Sequence, residues 1–208
     1  MVAYYPFRSL GGSCILIASL VIVGWLSGCA PNNQPPLLDI DGDTYRTAAI
    51  GNQLWMLDNL RSTVDQAGGP ISYTYPNDDS VNGTAFGLLY DHPTALTVCP
   101  SGWHLPSNAD WLALIAAFDQ NDAAYFKDPG YWGSTTSVNL NVFDARPAGY
   151  GHAAPNDNLF GKRAIFWSSA TDGDDFAWGF MLAHDADSLR YASQHAHYGF
   201  SVRCVQSN

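Results

Sequence analysis

The sequence predicts an α+β domain over residues 37–208, with short, mostly antiparallel strands and one or two helices. Three observations lead there. Strand-like segments joined by Asp-Gly and Gly-Asn turns open the domain. A capped amphipathic helix stands in its middle, and three or four strand-like segments close it. Strands gathered around a helical middle, without βαβ alternation, describe α+β rather than α/β. About 170 residues suffice for one domain with its own core, and the chain carries no internal repeat or second domain.

The N-terminus precedes that domain. Residues 1–13 carry one cation, Arg8, and no acid, and the apolar run from Ile15 to Val23 follows. That run is about a dozen residues, against the ~20 that a membrane-spanning helix needs. A basic start, a short apolar run and small residues before a cut describe a signal peptide over residues 1–28. Leu26-Ser27-Gly28-Cys29 resembles a bacterial lipobox. The resemblance implies cleavage after Gly28, lipid on Cys29 and attachment to a membrane by that lipid. Residues 29–36 then form an extended tether, stiffened by Pro31, Pro35 and Pro36. Alanine beside the lipidated cysteine implies the outer membrane, with the cell surface as one destination.

The domain's elements follow in order. Leu37–Ile40 and Asp43–Thr47 flank Asp41-Gly42, which reads as a tight primed turn. Gly51-Asn52 turns the chain into Gln53–Leu57, so the opening reads as a three-strand meander. From Asn59 to Ala85 the turn residues predict loop, and Gly87–Leu96 a short helix interrupted by Pro93. Ser107 and Asp110 form a capping box for the main helix. Trp111, Leu114, Ile115 and Phe118 give it one buried stripe. Phe126–Leu159 is loop-rich. The closing strands are expected at Ala164–Ser168, Phe176–Ala183, Leu189–Ser193 and Phe200–Val205.

Composition narrows the function. Without Arg8, eight cations face nineteen acids, a balance of −11, which excludes a nucleic-acid partner. Every acid is aspartate. The zincin His-Glu-x-x-His motif, the closing glutamate of an EF-hand and a glutamate pair for glycoside hydrolysis are therefore absent. With Cys14 removed and Cys29 lipidated, Cys99 and Cys204 remain, an even pair in an oxidising compartment. They are expected to be bridged.

Eight blocks resemble the Fibrobacter succinogenes major paralogous domain. They are Asp39–Tyr45, Ile50–Met56, Asp58–Arg61, Gly87–Tyr90, Cys99–Ser107, Pro147–Tyr150, Phe166–Ser169 and Gly199–Val205. The family is similar to the C-type lectin-like fold, also used by formylglycine-generating enzymes. The resemblance implies that fold and the proximity of Cys99 to Cys204; it implies no chemistry.

Asp39, Asp41 and Asp43 imitate a calcium loop, but Ile50 stands where its twelfth ligand belongs, and a polar turn is the expectation. The lectin calcium motifs are absent from the sequence. His195 and His197 would share a strand face, yet no third ligand accompanies them, so no metal and no cofactor are expected. His104 reads as structural. Residues 170–198, between two family blocks, read as a binding face. The candidate ligand-binding residues are Asp172, Asp174, Asp175, Phe176, Phe180, His184, Asp185, Asp187, Arg190, Tyr191, Ser193, His195, His197 and Tyr198. Trp167, Trp178 and Leu182 are expected in the core. Aromatic residues spaced by small ones give contact area at low entropic cost. The segment also lacks asparagine and is rich in the residues that adenine mutagenesis makes from it. A retroelement diversifies the ligand face of one group of lectin-fold proteins in this way.

The sequence thus predicts a lipid-anchored, non-catalytic binding protein for a surface protein or glycan. The rival readings are a metal-dependent enzyme of the formylglycine-generating type and a structural envelope lipoprotein.

Overall fold

A computed structural model of the chain describes residues 36–118, 123–133, 142–152 and 158–206. The chain divides into two units, residues 1–34 and Pro35–Asn208, and the described residues lie in the second. The signal peptide, the lipobox with Cys29 and the tether up to Pro35 lie outside the described residues. No helix among the described residues is long and apolar enough to cross a membrane.

The domain is α+β, and its described residues form nine short strands and three short α-helices. Strands β1 (Leu37–Leu38) and β2 (Thr44–Tyr45) make a separate hairpin. Its connection is five residues rather than the expected two, because the Asp39 carboxylate accepts from the Asp43 amide and the Tyr45 hydroxyl. Gly42 supplies the positive φ, 84°, that this loop needs. Strands β3 (Thr47–Ile50) and β4 (Gln53–Met56) pair in a second hairpin. The expected meander is therefore broken at Arg46, whose amide and guanidinium both bind Asp58 instead of a neighbouring strand.

The stretch expected as loop contains α1 (Asn82–Phe86). Helix α2 (His92–Ala95) is confined to four residues, and Pro93 opens it instead of interrupting it. Proline is tolerated in the first turn, where its missing N–H would have no partner, and Asp91 caps the same end through the Thr94 amide. Strand β5 (Trp103–His104) precedes α3 (Asn108–Ala116). The Ser107–Asp110 capping box is present, and Trp111 and Leu114 are buried while Ile115 and Phe118 pack partly buried beside them.

A three-stranded antiparallel sheet, ordered β6-β7-β8, follows from Arg163–Thr171, Phe176–Ala183 and Arg190–His195. Successive residues of β6 point into two separate cores. Phe166 joins Trp55, Trp111 and Phe143 on one side, while Trp167 joins Tyr90, Phe200 and Met56 on the other. Both faces being covered, β6 reads as a continuous apolar run.

The closing segment is not the single strand Phe200–Val205. Only β9 (Val205–Gln206) is a strand, and it lies between β4 and β5. The residues before it change partner at each step. Phe200 exchanges backbone hydrogen bonds with Tyr90 at 2.9 and 3.0 Å, and the Ser201 amide donates to Ile165. The Val202 carbonyl accepts from Leu60, and that of Cys204 from Met56. The Cys204 sulfur is bonded to Cys99, as expected, which closes a loop of sequence separation 105.

Between these contacts sits Arg203, 1 % exposed. Its guanidinium donates to Asn59 Oδ1 at 2.8 Å, to the Asp144 carbonyl at 2.9 Å and to the Phe143 carbonyl. The same group lies over the Phe143 ring, 4.4 Å from its centroid. Burial lowers its pKa to about 9 against the pull of Asp58 and Asp144, so it remains a cation at neutral pH. Replacing Arg203 by Met would leave Asn59 and two carbonyls without their donor. Chemical denaturation should show a loss of about 3–5 kcal/mol, the usual cost of breaking a buried charged cluster from one side.

Candidate ligand-binding face

The candidate residues gather on the β7–β8 hairpin, and among the described residues β8 is the outer strand of the three-stranded sheet. Its register sets Phe176 opposite His195, Trp178 opposite Ser193 and Phe180 opposite Tyr191. Directly opposed residues share a face, so these six point to one side.

On that side the aromatic rings run from core to solvent. Trp55 lies 5.0 Å from Trp111, which stacks on Phe180 at 5.0 Å, and Phe180 stacks under Tyr191 at 5.3 Å. Phe180 is 1 % exposed and Tyr191 55 %. Phe180 therefore belongs to the core and offers no surface to a ligand. Its parity with Leu182, two residues on, was the signal that should have placed it there. Trp178 differs in the other sense: it is half-buried beside Tyr191, at 5.8 Å, and not core as expected. It stands on the face with Phe176, which sequence reasoning missed although the same period-2 rule relates the two.

At one end of the hairpin Phe176 packs on His195 at 4.7 Å. The His195 and His197 rings meet through their Nδ1 atoms, 2.8 Å apart, so one donates and the other accepts. Asp172, Asp174 and Asp175 form the adjoining β6–β7 turn, tied to this end by the Ala196 amide bonding to the Asp175 carbonyl. All three are exposed, and no hydrogen bond or ion pair of their carboxylates appears among the described residues. Ser193 is half-buried between Tyr191 and His195.

The remaining candidates lie elsewhere. His184, Asp185 and Asp187 form the turn at the far end of β7, about 25 Å away for eight residues at ~3.3 Å each. Arg190 opposes Met181 and so points to the reverse side of the sheet. Tyr198 also contributes to the reverse side, where it lines a cleft with Met181 and Gln194. The face assembled by the fold is thus Phe176, Trp178, Tyr191, Ser193, His195 and His197, edged by the three turn aspartates.

Other features are engaged structurally. Asp39, Asp41 and Asp43 bind Tyr45, Thr63 and Arg61 respectively. His104 reaches Asp110 at 3.4 Å. His92, which sequence reasoning passed over, is buried against Trp167 and bonds to the Ser168 carbonyl, and burial lowers its pKa. No cluster of three or more metal-ligating side chains occurs among the described residues.

Residues 48–206 match the Fibrobacter succinogenes major domain. The chain belongs to this family. No curated protein and no solved structure gives a match. Within this Fibrobacter succinogenes major domain, the blocks that carry the family likeness are those that hold the closing segment. Asn59 binds Arg203, Leu60 binds Val202, Tyr90 binds Phe200 and Cys99 binds Cys204. The β7–β8 hairpin lies between two of these blocks and takes part in none of those four contacts.

The division between core and face is measurable. Phe180→Ala should cost about 3–5 kcal/mol, the usual range for a buried aromatic. Tyr191→Ala should cost roughly 1 kcal/mol or less, because its ring has solvent on one side. Urea titration of both variants checks this difference.

Proposed function

We propose that this protein is a lipid-anchored, non-catalytic binding protein with a C-type lectin-like fold, which recognises a surface protein or glycan through the Phe176–Tyr191–His195 face. The observation that carries the reading is the aromatic stack rising from Trp111 through Phe180 to the exposed Tyr191. A ring held from beneath by a buried partner is already ordered, so binding costs little side-chain entropy. Phe176, 43 % exposed, adds a second apolar contact beside it. The imidazoles of His195 and His197 and the three turn carboxylates supply polar recognition around them.

Signal peptide, lipidated Cys29 and proline-rich tether place this face at the outer membrane in the proposal. The reading also takes the hairpin to be the segment that a retroelement diversifies, since its exposed positions can change without touching the closing segment. An enzyme of the formylglycine-generating type would need a reactive thiol pair, whereas Cys99 and Cys204 are joined to each other.

Full-length protein, in lipid-bearing form, should associate with membranes, and Cys29→Ala should release it to the soluble fraction. In glycan-array and envelope-binding assays, Trp178→Ala with Tyr191→Ala should weaken binding about a hundredfold, as removal of central aromatic contacts does. Binding that is indifferent to both substitutions would overturn the assignment of the face.

A further inference from the structure

The sheet that carries the aromatic face has a second concavity on its reverse side. A cleft of about 200 Å³ opens there between β6, β7, β8 and the segments around Tyr150 and Phe200. Its size is below the roughly 300–1,000 Å³ of sites for drug-sized ligands, so it suits a single ring. Its floor is Ile165, Met181 and the edge of Phe200. Gly179 keeps this floor open: a Cβ there would lie 3.2 Å from Gln194 Cγ and 3.5 Å from both Ile165 Cγ2 and Phe200 Cε2.

The walls are aromatic and polar. Tyr150 and Tyr198 meet edge to face at 5.5 Å and bound one side. The Arg163 guanidinium bounds the other, and its one described side-chain contact is Met181 Sδ at 3.5 Å. Neither the Gln194 amide nor the Tyr198 hydroxyl makes a side-chain hydrogen bond among the described residues. Three polar groups with unused hydrogen-bonding capacity thus surround an apolar floor. Among the described residues no carboxylate lines this cleft, although the chain has nineteen aspartates. Arg163 is the one charged side chain of the described lining.

We propose that this cleft binds a hexuronate unit: an acidic pyranose whose carboxylate pairs with Arg163, whose hydroxyls bond to Gln194 and Tyr198, and whose C–H face rests on the aromatic wall. A guanidinium binds a carboxylate through two parallel N–H donors. A ligand without hydroxyls would leave the amide and phenol unmatched, and a neutral sugar would leave the guanidinium unmatched. The cleft lies on the other side of the strands from Tyr191, and Tyr198, 4.6 Å from the His197 ring, stands between the cleft and that face.

Calorimetric titration of the full-length protein with D-galacturonate, D-galactose and benzoate tests this. Galacturonate should bind saturably, and the other two about tenfold more weakly or worse, as loss of one charged or several neutral hydrogen bonds implies. Arg163→Gln should weaken galacturonate about tenfold, Gln194→Leu should also weaken it, and Val81→Ala, at an exposed position in neither site, should leave it unchanged. Melting temperatures of the variants separate loss of the site from loss of the fold. No saturable binding of galacturonate, equal binding of benzoate, or full binding by a folded Arg163→Gln variant would each overturn the proposal. Failure of the Trp178 and Tyr191 variants to affect envelope binding would leave it standing.

Discussion

The buried guanidinium of Arg203 is the constraint on which the rest of the structure depends. A cation 1 % exposed beside the Phe143 and Phe166 rings is tolerable only if its donors are matched. The matching groups come from two distant places in the chain: Asn59, and the adjacent Phe143 and Asp144. Asp144 and Asp58 are in turn joined by Arg46, at 2.8 Å to each. The charge cluster therefore fixes the early hairpin, the middle segment and the chain's end relative to one another. Hydrophobic burial supplies the larger driving force, but it is non-directional. The directional bonds to Arg203 select one arrangement of the two cores.

The disulfide and the backbone pairings of residues 199–206 extend that selection outward. Along this segment the chain contacts Gly151, Tyr90, β6, Leu60, β4 and β5 in succession, so it cannot shift register without breaking several contacts at once. The β6–β7–β8 sheet is anchored on this side by the bonds of Ser201 to Ile165 and Trp167. On the other side Phe166 and Phe180 pack on Trp111. Its outer strand, β8, has a partner along one edge among the described residues. Rigidity thus falls away across the sheet, from a doubly covered β6 to a half-exposed β8. A binding face at that outer strand can change its side chains while the inner strands keep its position.

Features set by neighbours in sequence were legible before the structure. Helix α3 is the clearest: the Ser107–Asp110 box and the 3.6-residue spacing of Trp111, Leu114 and Ile115 are local facts. The Cys99–Cys204 bridge followed from the count of cysteines left after the signal peptide and lipid were assigned. What was misread depends on partners far away in the chain. Arg46 leaves its strand because Asp58 and Asp144 hold it, and Phe200–Ser201 trades a strand for bridges to Tyr90 and Phe166. Pro93 was misread for a local reason, since its position within the helical turn decides whether it opens or breaks it. Phe180 was a misapplied period: residues at 178, 180 and 182 share one face, and depth along the strand decides which are covered. The reverse cleft had no sequence signal, because its lining comes from segments as far apart in the chain as Tyr150 and Phe200.

The face and the scaffold are energetically separable, and one measurement tests this directly. Tyr191, Ser193, His195 and His197 are replaced together by other small, polar or aromatic residues, and thermal unfolding is compared with that of the parent chain. The melting temperature should stay within about 5 °C of the parent, the shift expected for roughly 1–2 kcal/mol in a domain of this size. A collapse of the cooperative transition would show that the exposed strand is part of what holds the fold together, and would contradict that separability.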